Sequence, residues 1–306
     1  MSLIEFFKPK GDSGFGYGST AEQVTEGYDL SGKTYLVTGC NSGLGKETMR
    51  VLALRGARVM GTARTIEKAN EACLEVGAGK GQGFACELSD PKSVKECVKA
   101  IKKTGIKLDA IICNAGIMAL PKLEKAFGYE LQFFTNHIGH FILVTELIDQ
   151  LTKEGRVVML SSSAHSMAPK VGIEFDNLDG AKGYTAWKAY GQSKIANLYF
   201  AKELARRFAG TKKLAFSVHP GVIQTNLGRH LPSIAGAVFG LVGPIFLKSI
   251  PQGAATQCYV AISKTITQHN GAYFADVNVK RPIPIAEDPT VAKKLWEVSE
   301  NIVSKL

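Results

Sequence analysis

The chain has 306 residues, enough to bury a large core as one α/β domain. Hydrophobic residues make up 45% of it, which excludes a disordered or fibrous chain. The formal net charge is +10, read here as lysines on solvated helix faces; no basic run interleaved with aromatics points to nucleic acid.

Six cysteines (Cys40, Cys73, Cys86, Cys97, Cys113 and Cys258) form no C-x-x-C pair. They read as reduced, buried thiols in a reducing compartment, so a cytoplasmic location is expected. The N-terminus lacks a basic start followed by a long apolar run, and no stretch offers about 20 apolar residues for a membrane span. The nearest, residues 234–247, is short and contains Pro244. It suits a peripheral contact with lipid or a cover over an apolar substrate.

Residues 1–30 read as an N-terminal extension: the stretch from Lys8 to Thr20 is rich in glycine and serine and has no apolar periodicity. A short buried strand is predicted at residues 34–38. Residues 38–45 follow it as Thr-Gly-Cys-Asn-Ser-Gly-Leu-Gly and open a helix at 43–55. That is the strand–turn–helix context of a dinucleotide site. Gly39, Gly43 and Gly45 allow positive φ and close backbone approach, and the helix start offers free amides to a phosphate. Asn41, Ser42 and Leu44 complete the turn.

The second strand, 58–62, runs into Arg64, where NAD sites usually carry an acidic residue. An arginine here suits the 2′-phosphate of NADP(H). Weaker strand character covers 82–86, and Asp90-Pro91 starts a helix. Strand 108–113 ends at Asn114-Ala115-Gly116, small residues at the carboxyl edge where such sheets bind ligands. Strand 156–160 ends at Ser161-Ser162-Ser163. A helix is predicted over 195–208, strands over 214–219 and 271–275, and a last helix from Pro289. The alternation specifies one doubly wound parallel sheet, of Rossmann type, with helices on both faces. It occupies residues 31–306 as a single domain.

Tyr190 and Lys194, four apart, share one helix face. The ammonium is expected to pull the phenol's pKa from about 10 toward neutrality, making a general acid or base. Tyr184 and Lys188 repeat the spacing, but only the later pair has a serine before its lysine and a long amphipathic helix after it. His137 and His140 are half a metal site with no third ligand in matching context. They read as helix packing, and no metal is expected.

Taken together, these motifs resemble the short-chain dehydrogenase/reductase family. The match runs from the glycine turn through Asn114-Ala115-Gly116, Asn136, the serine run and Tyr190/Lys194 to Pro220-Gly221 and Thr225, over residues 30–280. Phrases such as Asn136-His137-Ile138-Gly139-His140-Phe141 and Ser217-Val218-His219-Pro220-Gly221 are similar to its retinol dehydrogenase and WW-domain oxidoreductase branch. Residues 19–25 resemble plant and bacterial members, one of them associated with the chloroplast translocon.

The resemblance implies a catalytic set. Tyr190 would exchange the proton, and Lys194 would tune it and bind the nicotinamide ribose. Ser162 would polarise the substrate carbonyl, and Asn136 would hold a water leading to solvent. Asn114, Ala115 and Gly116 would floor the cofactor, and Glu87 and Leu88 would lie near the adenine, where the family usually has Asp. Pro220, Gly221 and Thr225 would meet the nicotinamide end. The expected reaction interconverts a lipophilic aldehyde or ketone and its alcohol with NADP(H). The alternative is an NADP(H)-binding redox-responsive scaffold with little turnover. A homodimer through the helices around 122–150 and 184–209 is also implied.

Overall fold

The computed structural model describes residues 9–76, 81–223 and 247–306. Eight strands form the main sheet: β1 (Thr34–Thr38), β2 (Arg58–Ala63), β3 (Gln82–Ala85), β4 (Leu108–Cys113), β7 (Leu151–Leu160), β8 (Leu214–His219), β9 (Tyr273–Ala275) and β10 (Asn278–Lys280). A two-residue pair, β5 (Lys125–Ala126) and β6 (Tyr129–Glu130), lies outside it. The order across the sheet is β10-β9-β8-β7-β4-β1-β2-β3. Every pairing is parallel except β9 with β10.

The central strands carry apolar residues on both faces because both faces are covered. One face packs α4 (Pro91–Lys103), α6 (Ala186–Arg207), α8 (Pro289–Val303) and a composite helix, α5. Helix α5 starts at Leu131–Phe133, passes through a π-helical stretch at Phe134–Ile138 and continues as Gly139–Leu147. The other face packs α1 (Ala21–Val24), α2 (Gly43–Leu54), α3 (Ile66–Glu75) and α7 (Ile250–Ile262). This is the doubly wound sheet the alternation specifies. Its strand order reverses between β1 and β4, so the crevice beyond their carboxyl ends is the expected ligand edge.

Helices α1 and α7 and the β5–β6 pair were not among the predicted elements, and three others depart from the sequence reading in ways that bear on the site. Helix α6 begins at Ala186, nine residues before the predicted start. Gly191, Gln192 and Ser193 interrupt the apolar spacing there, yet all three are buried: Gly191 packs on the backbone of Ala164 and Met167. Strand β7 begins at Leu151, pairing with Leu108 before a register shift. Strand β10, not foreseen, folds back on β9 through Asp276 and Val277, both at positive φ. No helix among the described residues is long and apolar enough to cross a membrane.

Candidate active site

The glycine turn lies between β1 and α2. Gly39 and Gly43 have φ of 68° and 53°, which lets the chain turn sharply from strand to helix. A Cβ on Gly45 would collide with the Gly39 carbonyl and the Asn114 amide, so glycine there lets α2 close onto the sheet. The residue before α2, Ser42, makes no side-chain capping bond. The first amides of a twelve-residue helix are therefore left for a ligand, the arrangement an anionic phosphate needs. Asn41 and Ser42 are exposed beside it, and Leu44 is buried beneath.

Arg64 directly follows β2 at the same edge. It is exposed and makes no ion pair among the described residues. Lys46, also near the turn, is instead paired with Glu75. Glu87 folds its carboxylate onto the Ser89 amide and hydroxyl, at 3.1 and 2.8 Å, and so serves the turn into α4. Leu88 is buried, its backbone close against Gly139.

Asn114 donates to the Thr38 carbonyl at 2.9 Å and accepts from Gln257 at 3.3 Å. These bonds tie the end of β4 to β1 and α7. The Ala115 amide donates to Thr38 Oγ1 at 3.0 Å. Gly116 faces Asn136 and Lys194: a Cβ there would lie 2.9 Å from Asn136 Oδ1 and 3.4 Å from Lys194 Nζ.

Asn136 lies within the π-helical stretch, a feature that recurs at functional sites. Its amide accepts from Ile117 N at 2.8 Å and donates to Ile117 O and Ser193 Oγ, both at 2.9 Å. The Ser193 hydroxyl in turn donates to the Tyr190 carbonyl at 2.7 Å. Lys194 Nζ donates to the Leu160 carbonyl at 3.2 Å and sits 5.5 Å from the centre of the Tyr190 ring. Ser162 accepts from Ala164 N at 3.1 Å at the start of the turn after β7. Asn136, Ser162, Tyr190 and Lys194 thus converge at the carboxyl edge of β4 and β7.

The electrostatics differ from the sequence expectation. Tyr190 is 8% exposed, and burial pushes its phenol up to about 12; the Ser162 hydroxyl, not the ammonium, pulls it back. Lys194 is itself buried, which lowers it to about 8. Desolvation of each charged form outweighs their mutual attraction across that separation. In the chain alone, Tyr190 is a firmly protonated acid and Lys194 is the group that titrates near 8.

Tyr184 is used differently. Its hydroxyl donates to the Leu120 carbonyl at 2.6 Å, and Lys188 pairs with Glu174 at 2.6 Å. His137 bonds Ser299 Oγ at 2.9 Å among Phe133, Phe141 and Phe200. Thr38, His140, Ser193 and Gln257 also support the site: the first three stood in motifs read from the sequence without these roles, and no pattern singled out Gln257. Their roles depend on contacts between distant segments. Pro220 and Gly221 follow β8 at the same edge, with Gly221 at φ 98°. Thr225 and all but Leu247 of the apolar stretch 234–247 lie outside the described residues.

Comparison with known proteins finds relatives along most of the chain. The family described as short chain dehydrogenase matches residues 33–233. A Brassica napus protein named short-chain dehydrogenase TIC 32 A, chloroplastic, is 41% identical over 97% of this chain and 96% of its own length. Human retinol dehydrogenase 14 is 34% identical over 94% of this chain and 92% of its own. A crystal structure from Mycobacterium paratuberculosis superposes with a TM-score of 0.74 at 31% identity, over 92% of this chain and 97% of that one.

Proposed function

Because the chain belongs to the short-chain dehydrogenase family, we propose that it interconverts an alcohol and the matching aldehyde or ketone, with NADP(H) as its cofactor. The nucleotide, when bound, supplies or accepts a hydride at the nicotinamide. The glycine turn from Gly39 to Gly45 would hold the pyrophosphate, and Arg64 the 2′-phosphate. Asn114, Ala115, Gly116, Glu87 and Leu88 would border the nucleoside, and Pro220, Gly221 and Thr225 the nicotinamide end.

The chain's own residues then handle the proton. Tyr190 gives it to the carbonyl oxygen in reduction and takes it back in oxidation. Ser162 donates a hydrogen bond to that oxygen and so polarises it. Lys194 carries a positive charge that steadies the phenolate left behind, and Asn136 anchors the segment on which Lys194 converges. The observation that carries this reading is the joint burial of Tyr190 and Lys194 beside Ser162. An acid that keeps its proton at neutral pH has one to give the carbonyl oxygen, and a nearby ammonium eases that transfer by steadying the phenolate.

Three exposed apolar residues adjoin these groups and favour a lipophilic substrate. Trp187, 41% exposed, lies one turn before Tyr190 with its ring 6.1 Å away. Met167 and Val222, 53% and 55% exposed, follow Ser162 and Gly221. Singly such residues are ordinary, but gathered beside a site they suit contact with an apolar ligand. Pairing of two copies through α5 and α6 is also part of the proposal, and light scattering tests it.

The decisive experiment follows nucleotide oxidation over a panel of short and long aldehydes and ketones, with NADPH and NADH in parallel. Turnover with NADPH on long-chain carbonyls is the expected result. Tight NADPH binding with no turnover on any carbonyl would instead favour a binding protein.

A further inference from the structure

Lys248 is a buried cation that the proposed chemistry does not use. Its side chain is 0% exposed, and its ammonium pairs with Asp276 at 2.7 Å and lies 4.8 Å over the ring of Tyr17. Those partners come from opposite ends of the chain. Tyr17 belongs to the segment before β1, and Asp276 to the turn between β9 and β10.

The stem of Lys248 lies against Gly221. A Cβ on Gly221 would be 2.6 Å from Lys248 Cδ and 3.0 Å from Cε. The backbone joins the same place: Lys248 N donates to Val222 O at 2.9 Å, and Ile223 pairs with Lys248 in a parallel bridge. One residue therefore presses its stem on the turn after β8 while its head is fixed elsewhere.

The Asp276 turn is strained in a way that needs a reason. It is a two-residue hairpin loop with φ of 50° at Asp276 and 65° at Val277. Loops of this kind favour Asn-Gly or Asp-Gly, and a β-branched residue at positive φ is an outlier. Val277 is held by full burial and by its amide donating to Thr256 Oγ1 at 3.1 Å. Strain of this sort persists where the surroundings over-determine it, often beside a functional site. Here it places a carboxylate against Lys248. The first segment is fixed to the same hairpin: Asn278 accepts from Ser13 N at 3.1 Å and donates to Phe15 O at 3.0 Å.

We infer that Lys248 is a positioning residue for the Pro220–Gly221 turn, and that Tyr17 and Asp276 hold it there. The segment before β1 thereby becomes a working part of the nicotinamide end of the pocket. This rests on the reading of Pro220 and Gly221 as cofactor contacts. A buried ammonium is tolerated only while its partners stay in place. Losing the ring face or the carboxylate drives the head toward water and lifts the stem from Gly221.

The test uses the full chain with Tyr17→Leu, Tyr17→Phe and Asp276→Asn; asparagine accepts the positive φ. NADPH affinity is read by fluorescence titration, and kcat is read at saturating nucleotide. Tyr17→Leu and Asp276→Asn should weaken NADPH binding by roughly threefold to tenfold, a part of the roughly thirtyfold that a desolvated cation–π contact is worth, because the effect reaches the nucleotide only through the turn. Neither should change saturated kcat appreciably. Tyr17→Phe, which keeps the ring face, should bind as the wild type does. Amide exchange across residues 221–223, measured without nucleotide, should quicken in the first two variants only. Unchanged exchange and affinity in Tyr17→Leu, with a lower melting temperature alone, would overturn the inference. The exchange reading stands even if the wild type proves to bind no nucleotide, an outcome that would remove the functional proposal instead.

Discussion

Thr38 Oγ1 and His140 Nε2 lie 2.9 Å apart, and their other partners fix which of them holds the proton. His140 Nδ1 is 2.9 Å from the Asn136 carbonyl, which can only accept, so Nδ1 carries the hydrogen. Burial keeps the ring neutral by lowering it to about 4. Nε2 is then an acceptor, and the Thr38 hydroxyl donates to it. That leaves Thr38 Oγ1 free to accept from Ala115 N at 3.0 Å. A single directed chain thus joins Ala115, on the proposed cofactor floor, to the backbone of Asn136.

The first prediction is the tautomer itself. Long-range proton–nitrogen NMR on nitrogen-15 histidine should show His140 protonated at Nδ1 at neutral pH. A signal for the Nε2–H form would refute the direction of the chain. Thr38→Val keeps the shape but leaves Nε2 and the Ala115 amide without their partner. It should cost about 1–3 kcal/mol of stability in urea unfolding, the penalty for an orphaned buried group.

Acid should destabilise the fold through the same histidines. Burial lowers His137 to about 3 and His140 to about 4. In the unfolded chain both titrate near 6.5. Between those values the unfolded state binds protons that the folded state refuses, so stability falls as pH drops from 6.5 toward 4. The slope should be about 1.4 kcal/mol per pH unit for each histidine. Urea midpoints taken across this range check it. His137→Phe should flatten the slope by one proton, and an unaltered slope would show that other groups dominate.

Tyr190 and Lys194 give a pH profile with a definite sign. Tyr190 stays protonated to about 12, so its ionisation does not limit reduction in the working range. Lys194 loses its charge near 8, and with it the stabilisation of the phenolate. The kcat/KM for NADPH in carbonyl reduction, which reports the free enzyme, should therefore fall as pH rises through about 8. Tyr190→Phe should lower kcat by roughly 10²-fold or more at every pH, because the proton donor is gone. Undiminished turnover in that variant would end the proposed mechanism.

The parts of this protein written in local pattern were legible from residues alone. The glycine turn, the strands ending at Asn114 and Ser161 and the Tyr190/Lys194 spacing each depend on a few neighbouring positions. What was missed depends on remote contact or on broken rules. The first turns of α6 bury Gln192 and Ser193 at 6% and 0% exposure, so apolar spacing does not mark them. The β9–β10 hairpin lacks the Gly or Asn that would announce its turn. Lys248 looks like any surface lysine until Tyr17 and Asp276 are brought to it. The direction of the Tyr190 shift was misjudged for a related reason: sequence gives the neighbour's charge but not the depth of burial that outweighs it.

Cofactor choice should turn on Arg64. It is an exposed cation just after β2 that makes no ion pair among the described residues. A charge-assisted contact to a 2′-phosphate is worth about 1.5–3 kcal/mol, so Arg64→Asp should cut the NADPH-over-NADH ratio of kcat/KM by at least roughly tenfold. An unchanged ratio would assign the phosphate to another residue.

Substrate choice should turn on Trp187. Its ring meets that of Tyr190 at 80°, edge to face, while 41% of the residue stays exposed. An indole held there can cover the chain of a substrate whose carbonyl sits at the phenol. Trp187→Ala should raise KM for decanal by roughly tenfold while changing propanal little, because only the longer chain reaches the lost surface. The lost contact acts equally on ground and transition states, so kcat should hold for both aldehydes. Equal rises in KM for decanal and propanal would place Trp187 in the packing around Tyr190 and not against the substrate.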